Sequence, residues 1–157
     1  MSFGFGESLV LIFIFIPILV IIFGYLWAKK KSNESSEEIP LTWFYFYTYV
    51  HLPISLLIVG AGTGLSMSSG NTTAVMAQTL RFVLIMAVLI GLHKRTSWGW
   101  SLNIAYLALA IAPGVYSAES KYTALLFILG YGALYFLPNY IYFKKRIHLF
   151  SKTAVNI

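Results

Sequence analysis

The sequence predicts an all-α fold: a polytopic membrane helix bundle of five transmembrane helices, N-terminus outside and C-terminus cytoplasmic. Three observations predict it. Of 157 residues, 59% are hydrophobic, 17% aromatic and only 10% charged, against roughly 25% charged in an ordinary soluble domain. A water-soluble chain of this size needs the charge that is missing here, whereas lipid-facing helices need no polar coat. The apolar residues gather in five runs suited to crossing a hydrocarbon core of about 30 Å. Finally, nine of the eleven Lys and Arg residues fall on alternate connections, and basic loops stay cytoplasmic.

Residues 8–27 form the first run, uncharged and closed by Lys29, Lys30 and Lys31. A secretory signal carries its charge before the apolar stretch, so this N-terminal transmembrane helix (1–27) is expected to stay attached. Residues 28–40 mix three lysines with Glu34, Glu37 and Glu38 and have little to bury, so they read as a mobile cytoplasmic linker. A four-helix transmembrane core is expected over 41–150, with spans at 42–65, 74–92, 99–117 and 124–143, then a cytoplasmic tail at 151–157. Lys29 to Lys31, Lys94, Arg95, Lys144, Lys145, Arg146 and Lys152 mark the inner side; Lys121 alone marks the outer, and Arg81 lies inside a span. The formal charge of +6 is thus a topology signal and an attraction for anionic lipid, with Lys144, Lys145 and Arg146 at the headgroups, and no nucleic-acid partner is expected. Trp43, Tyr45, Trp98, Trp100, Tyr140 and Tyr142 form an aromatic belt on that side.

Gly60 and Gly64 place two small residues four apart, and Ser101, Ala105, Ala108 and Ala112 form a narrow seam. Both patterns predict close helix packing, the seam at the middle of the bundle. Pro17, Pro53 and Pro138 lie inside spans, where each removes a backbone donor.

Cysteine and aspartate are absent, and no glutamate lies in an apolar run. Thiol chemistry, Cys-ligated metals and an acidic proton relay are thereby disfavoured, and no catalytic constellation or metal site is visible. The intramembrane polar candidates are Arg81, His51, Tyr47, Tyr49, Asn103 and Asn139. A central arginine costs about 2.5–3.5 kcal/mol on insertion scales. It can snorkel to headgroups or Glu119, hydrogen-bond to tyrosines and carbonyls, or bind an anionic group or a partner's carboxylate. Bis-histidine haem needs two histidines at matched depth, and His93 and His148 do not match His51, so no cofactor is expected. Asn103 and Asn139, at similar depth, are candidates to bond each other.

The ending Leu137-Pro138-Asn139-Tyr140-Ile141-Tyr142-Phe143-Lys144-Lys145-Arg146-Ile147-His148-Leu149-Phe150 resembles that of small bacterial multi-span membrane proteins, and the block from Tyr47 through Arg95-Thr96-Ser97-Trp98-Gly99-Trp100 does so more loosely. The resemblance implies a four-helix domain in the bacterial cytoplasmic membrane and supplies no catalytic residue. The function expected is an accessory, structural or regulatory subunit of a larger membrane assembly. The alternative is an oligomeric carrier or channel for an anionic or amphiphilic small molecule, and a membrane enzyme or b-type haem protein comes third. The expected partners are the lipid bilayer and either membrane protein subunits or further copies of the chain.

Overall fold

The computed structural model describes the backbone of residues 5–35, 37–112, 115 and 119–150, and within these the side chains from Ile16 onward. The predicted tail and the end of the predicted fourth span lie outside the described residues. The described residues are helical, with no strand among them: α1 (Phe5–Asn33), α2 (Thr42–Ser68), α3 (Thr72–His93), α4 (Ser97–Leu109) and α5 (Lys121–Lys144), followed by a 3₁₀ turn at Ile147–Phe150. Helices α2, α3 and α5 are long and apolar enough to cross a membrane.

Of the other two predicted spans, α1 is a helix of 29 residues over Phe5–Asn33, with side chains described from Ile16 onward. Helix α4 has 13 residues, about 20 Å at 1.5 Å per residue, and ends at Leu109 in a break at Ala110 and Ile111. Pro113 explains the break, because it has no amide hydrogen to offer the Leu109 carbonyl. Past the break, Val115 N–H donates to the Ile111 carbonyl at 3.1 Å.

Two compact units divide the chain, Met1–Ile54 and Ser55–Ile157. The boundary falls inside α2. In the first unit α1 continues through the three lysines to Asn33, with Ala28 and Ser32 buried. The Leu41 amide donates to Ser32 Oγ at 2.7 Å, and Ser35 Oγ donates to the Ser32 carbonyl at 2.7 Å. One serine therefore fastens both ends of the stretch, tying α1 to the start of α2. Farther along, Gly24 faces Val50: a Cβ there would lie 2.8 Å from both Val50 methyl groups. Gly24→Ala is expected to cost about 1–2 kcal/mol by overpacking, and Gly24→Ala with Val50→Ala should recover most of it. Detergent unfolding of the single and double variants measures this.

The connections that follow α2 and α3 are helical hairpins without slack. After α2, Gly70 takes φ +69°, the Gly70 amide donates to Met67 O and the Asn71 amide to Ser66 O, both at 3.1 Å. After α3, Arg95 takes φ +53°, and the amides of Arg95 and Thr96 donate to Leu92 O and Gly91 O at 3.0 and 2.9 Å. These are paired Schellman turns that satisfy the last carbonyls of each helix. In each, the residue closing the turn also caps the next helix: Asn71 Oδ1 accepts from Ala74 N–H at 3.0 Å and Thr96 Oγ1 from Gly99 N–H at 3.2 Å. Where α3 meets α4, Gly91 and Gly99 pack backbone to backbone, and a methyl on either would overlap the other's main chain. Antiparallel to α4 runs α5: Trp100 stacks on Tyr140 at 6.1 Å, and Tyr131 Oη donates to the Leu107 carbonyl at 2.8 Å. The final turn packs on α4, burying Leu149 and Phe150.

Pro53 and Pro138 each follow a π-helical turn, Tyr47–His51 in α2 and Gly132–Phe136 in α5. A proline ring crowds the carbonyl four residues before it and cannot donate. The widened turn accommodates this in both helices, with the amides of Leu52 and Leu137 reaching back five residues to Tyr47 O and Gly132 O. Near the second turn Asn139 Nδ2 donates to the Tyr135 carbonyl at 2.7 Å.

Candidate functional site

The inward face of α3 is a stripe at spacings of four and three: Ile85, Val88 and Leu92 are fully buried, and the same stripe runs outward through Arg81 and Gln78. A lipid-facing arginine would sit on the opposite side, with Leu80 and Val83, which are exposed. Arg81 thus belongs to the face that carries the core, and it is half-buried.

The level of Arg81 follows from the crossing of α3 and α4. Gly91 lies against Gly99, Arg81 is ten residues before Gly91 and Leu109 ten after Gly99, and the helices are antiparallel. Both positions therefore lie about 15 Å along the helices from the crossing. The Arg81 backbone stands at the height where α4 breaks, and a helix C-terminus carries roughly half a negative charge.

Three tyrosines gather at the same height. Tyr106 of α4 is 5% exposed, Tyr131 and Tyr135 of α5 lie with ring centroids 5.2 Å apart, and the Arg81 charge acts on the Tyr131 phenol. Because Tyr131 spends its hydroxyl proton on the Leu107 carbonyl, its oxygen presents lone pairs to a donor. Gln78, one turn outward from Arg81, has its amide nitrogen 3.7 Å from where a Gly62 Cβ would sit, and its Oε1 is buried with no hydrogen-bond partner. Tyr106, Tyr131, Tyr135 and Gln78 were not singled out from the sequence. The signal was there for Gln78, a second polar residue three positions from Arg81 in one apolar run.

The remaining candidates are dispersed. Tyr47 and His51, in the π-helical turn of α2, stack at 5.2 Å with Tyr47 fully buried. Tyr49 is exposed beside Tyr45 and Trp27, whose rings lie 6.1 and 5.7 Å away. Asn103 and Asn139 are both buried on the facing helices α4 and α5. Gly60 meets the Phe82 ring, 3.8 Å from where its Cβ would be, whereas Gly64 has open space. Ser101, Ala105, Ala108 and Ala112 are exposed, so the small-residue seam faces outward and not into the middle of the bundle as expected. The buried face of α4 is instead Gly99, Asn103, Tyr106 and Leu107.

The basic cluster divides. Lys144 and Lys145 are exposed, with Lys144 Nζ 5.6 Å from the Tyr140 ring centroid. Arg146 is buried, its guanidinium 3.6 Å from the centroid of the Tyr142 ring and its Nη1 donating to the Tyr142 carbonyl at 3.0 Å. Burial draws its pKa down from the usual arginine value, and Tyr142 works in the opposite direction. Expected at the headgroups, Arg146 is a packed side chain. Among the described residues no three His, Cys, Asp or Glu side chains group as a metal site.

Fold and site define an all-α protein whose three membrane-length apolar helices fit integral insertion and whose polar cluster is drawn from two of them, α3 and α5, and from α4. Compared with known protein families, curated proteins and solved structures, the chain matches none.

Proposed function

We propose that the chain is an accessory or regulatory subunit of a larger assembly in the bacterial cytoplasmic membrane, with five spans, N-terminus outside and C-terminus inside. The outward exposure of the Ser101, Ala105, Ala108 and Ala112 seam carries this reading, since small residues on an outer helix face let a partner helix approach closely in lipid. The alternation of basic connections supports the orientation. Reporter fusions after Lys31, Gly70, Thr96, Ser120 and Ile157 should read in, out, in, out, in; a cytoplasmic signal at Gly70 would refute the orientation. Purification in gentle detergent followed by mass spectrometry should recover foreign membrane subunits, and Ala105→Leu with Ala108→Leu should release them. A homo-oligomer would favour the second reading, a carrier or channel for an anionic or amphiphilic molecule, which the Arg81–tyrosine cluster supports. A Soret absorption band would favour the third, a haem protein.

A further inference from the structure

Arg81 brings a full positive charge to the core-facing stripe of α3. The broken end of α4 at the same level supplies only a partial negative charge, and the five glutamates lie outside the three membrane-length helices. Within these helices the charge is therefore not neutralised by a carboxylate of the same chain. One turn from Arg81, Gln78 Oε1 is buried without a hydrogen-bond partner. A terminal amide can turn either end inward, so Gln78 is able to offer an N–H toward a ligand oxygen beside the guanidinium fork.

We propose that Arg81, Gln78 and Tyr131 form an intramembrane site for a single carboxylate borne on an apolar carrier, either a long-chain fatty acid or an acidic residue on a partner's membrane-spanning helix. Depth selects the class. Arg81 lies nine residues inside Thr72, about 14 Å along α3, below the level of phospholipid phosphates. A monocarboxylate is easier to dehydrate than a phosphate of higher charge, and it matches the planar guanidinium fork with two parallel hydrogen bonds. The Tyr131 oxygen, its proton committed to Leu107, keeps lone pairs able to accept from a guanidinium drawn toward the ligand.

This deepens the membrane-subunit reading and rests on it only for placement in the bilayer. The test uses the purified full chain in neutral detergent at about pH 9, where a micellar fatty acid is ionised. Oleate should raise the melting temperature and methyl oleate should not. Arg81→Gln should weaken oleate binding by about tenfold or more and Arg81→Lys should not restore it, while Lys121→Gln should bind as wild type. A second arm reconstitutes the protein in phosphatidylcholine vesicles with a Leu/Ala membrane-spanning peptide carrying one central Glu, or Gln as control, and reads association by energy transfer. Response to oleate alone assigns the site to a free amphiphile, and response to the Glu peptide alone assigns it to a partner helix. Equal response to oleate and its methyl ester, unchanged binding in Arg81→Gln, or no response in either arm overturns the proposal. Any of these would leave co-purifying subunits unaffected, so the two readings fail separately.

Discussion

Gly99→Ala is expected to be among the most destabilising single substitutions in the second unit, at about 3 kcal/mol or more, because the added methyl meets main chain that cannot rotate away. The turn beside it cannot absorb the clash. Thr96 Oγ1 both donates to the Gly91 carbonyl at 3.1 Å and accepts from the Gly99 amide, so separating the helices breaks the turn's own bonds. Gly91→Ala should behave alike, its methyl also running into the Trp98 ring. Gly64→Ala is the control: nothing stands within 4 Å of a Cβ there, and alanine is the better helix former by about 1 kcal/mol. Unfolding in mixed micelles followed by tryptophan fluorescence should show Gly99→Ala melting far earlier and Gly64→Ala at or above wild type. Equal stability of the two would refute the backbone contact.

Arg146→Gln is expected to cost about 2 kcal/mol, while Lys144→Gln and Lys145→Gln cost within about 0.5 kcal/mol. The arginine covers the Tyr142 ring and bonds the Tyr142 carbonyl. Losing both removes a desolvated cation–π contact and a charge-assisted hydrogen bond. Arg146→Lys should recover little, since a point charge on a flexible stem cannot lie flat on the ring and reach the carbonyl together. Binding to vesicles containing anionic lipid should show the reverse ranking, falling with the two lysine substitutions and little with Arg146→Gln. Thermal unfolding and flotation measure the two effects.

Why the sequence divides Arg146 from its neighbours so poorly is instructive. Three adjacent cations look alike until the chain turns back after Lys144 and carries one of them inward, and that turn is fixed by Phe143 packing near Phe150, their centroids 6.4 Å apart. The helices α2, α3 and α5 were legible because length and composition alone define them. The break in α4 was written in Pro113 yet hidden from a reading that measures only apolar length. The outward seam was misplaced because small residues mark close packing without saying on which side of a helix the neighbour stands. The tie between α1 and the start of α2 could not be read, as it depends on a bond between Ser32 and Leu41, nine positions apart. Arg81 was legible as costly, but its companions on α4 and α5 become visible only once those helices are antiparallel at known height.

The two π-helical turns also change how α2 and α5 can be compared along their own lengths. Each inserts one residue beyond a regular turn, which rotates everything after it by about 100° relative to an uninterrupted helix. Two segments of one helix thereby keep separate angular bookkeeping, so a cysteine-accessibility scan along α2 should hold one period through Phe46 and resume after His51 with a phase slip of one residue. The same slip should appear across Gly132–Phe136, and a heptad laid continuously over either helix would lose its register at the turn.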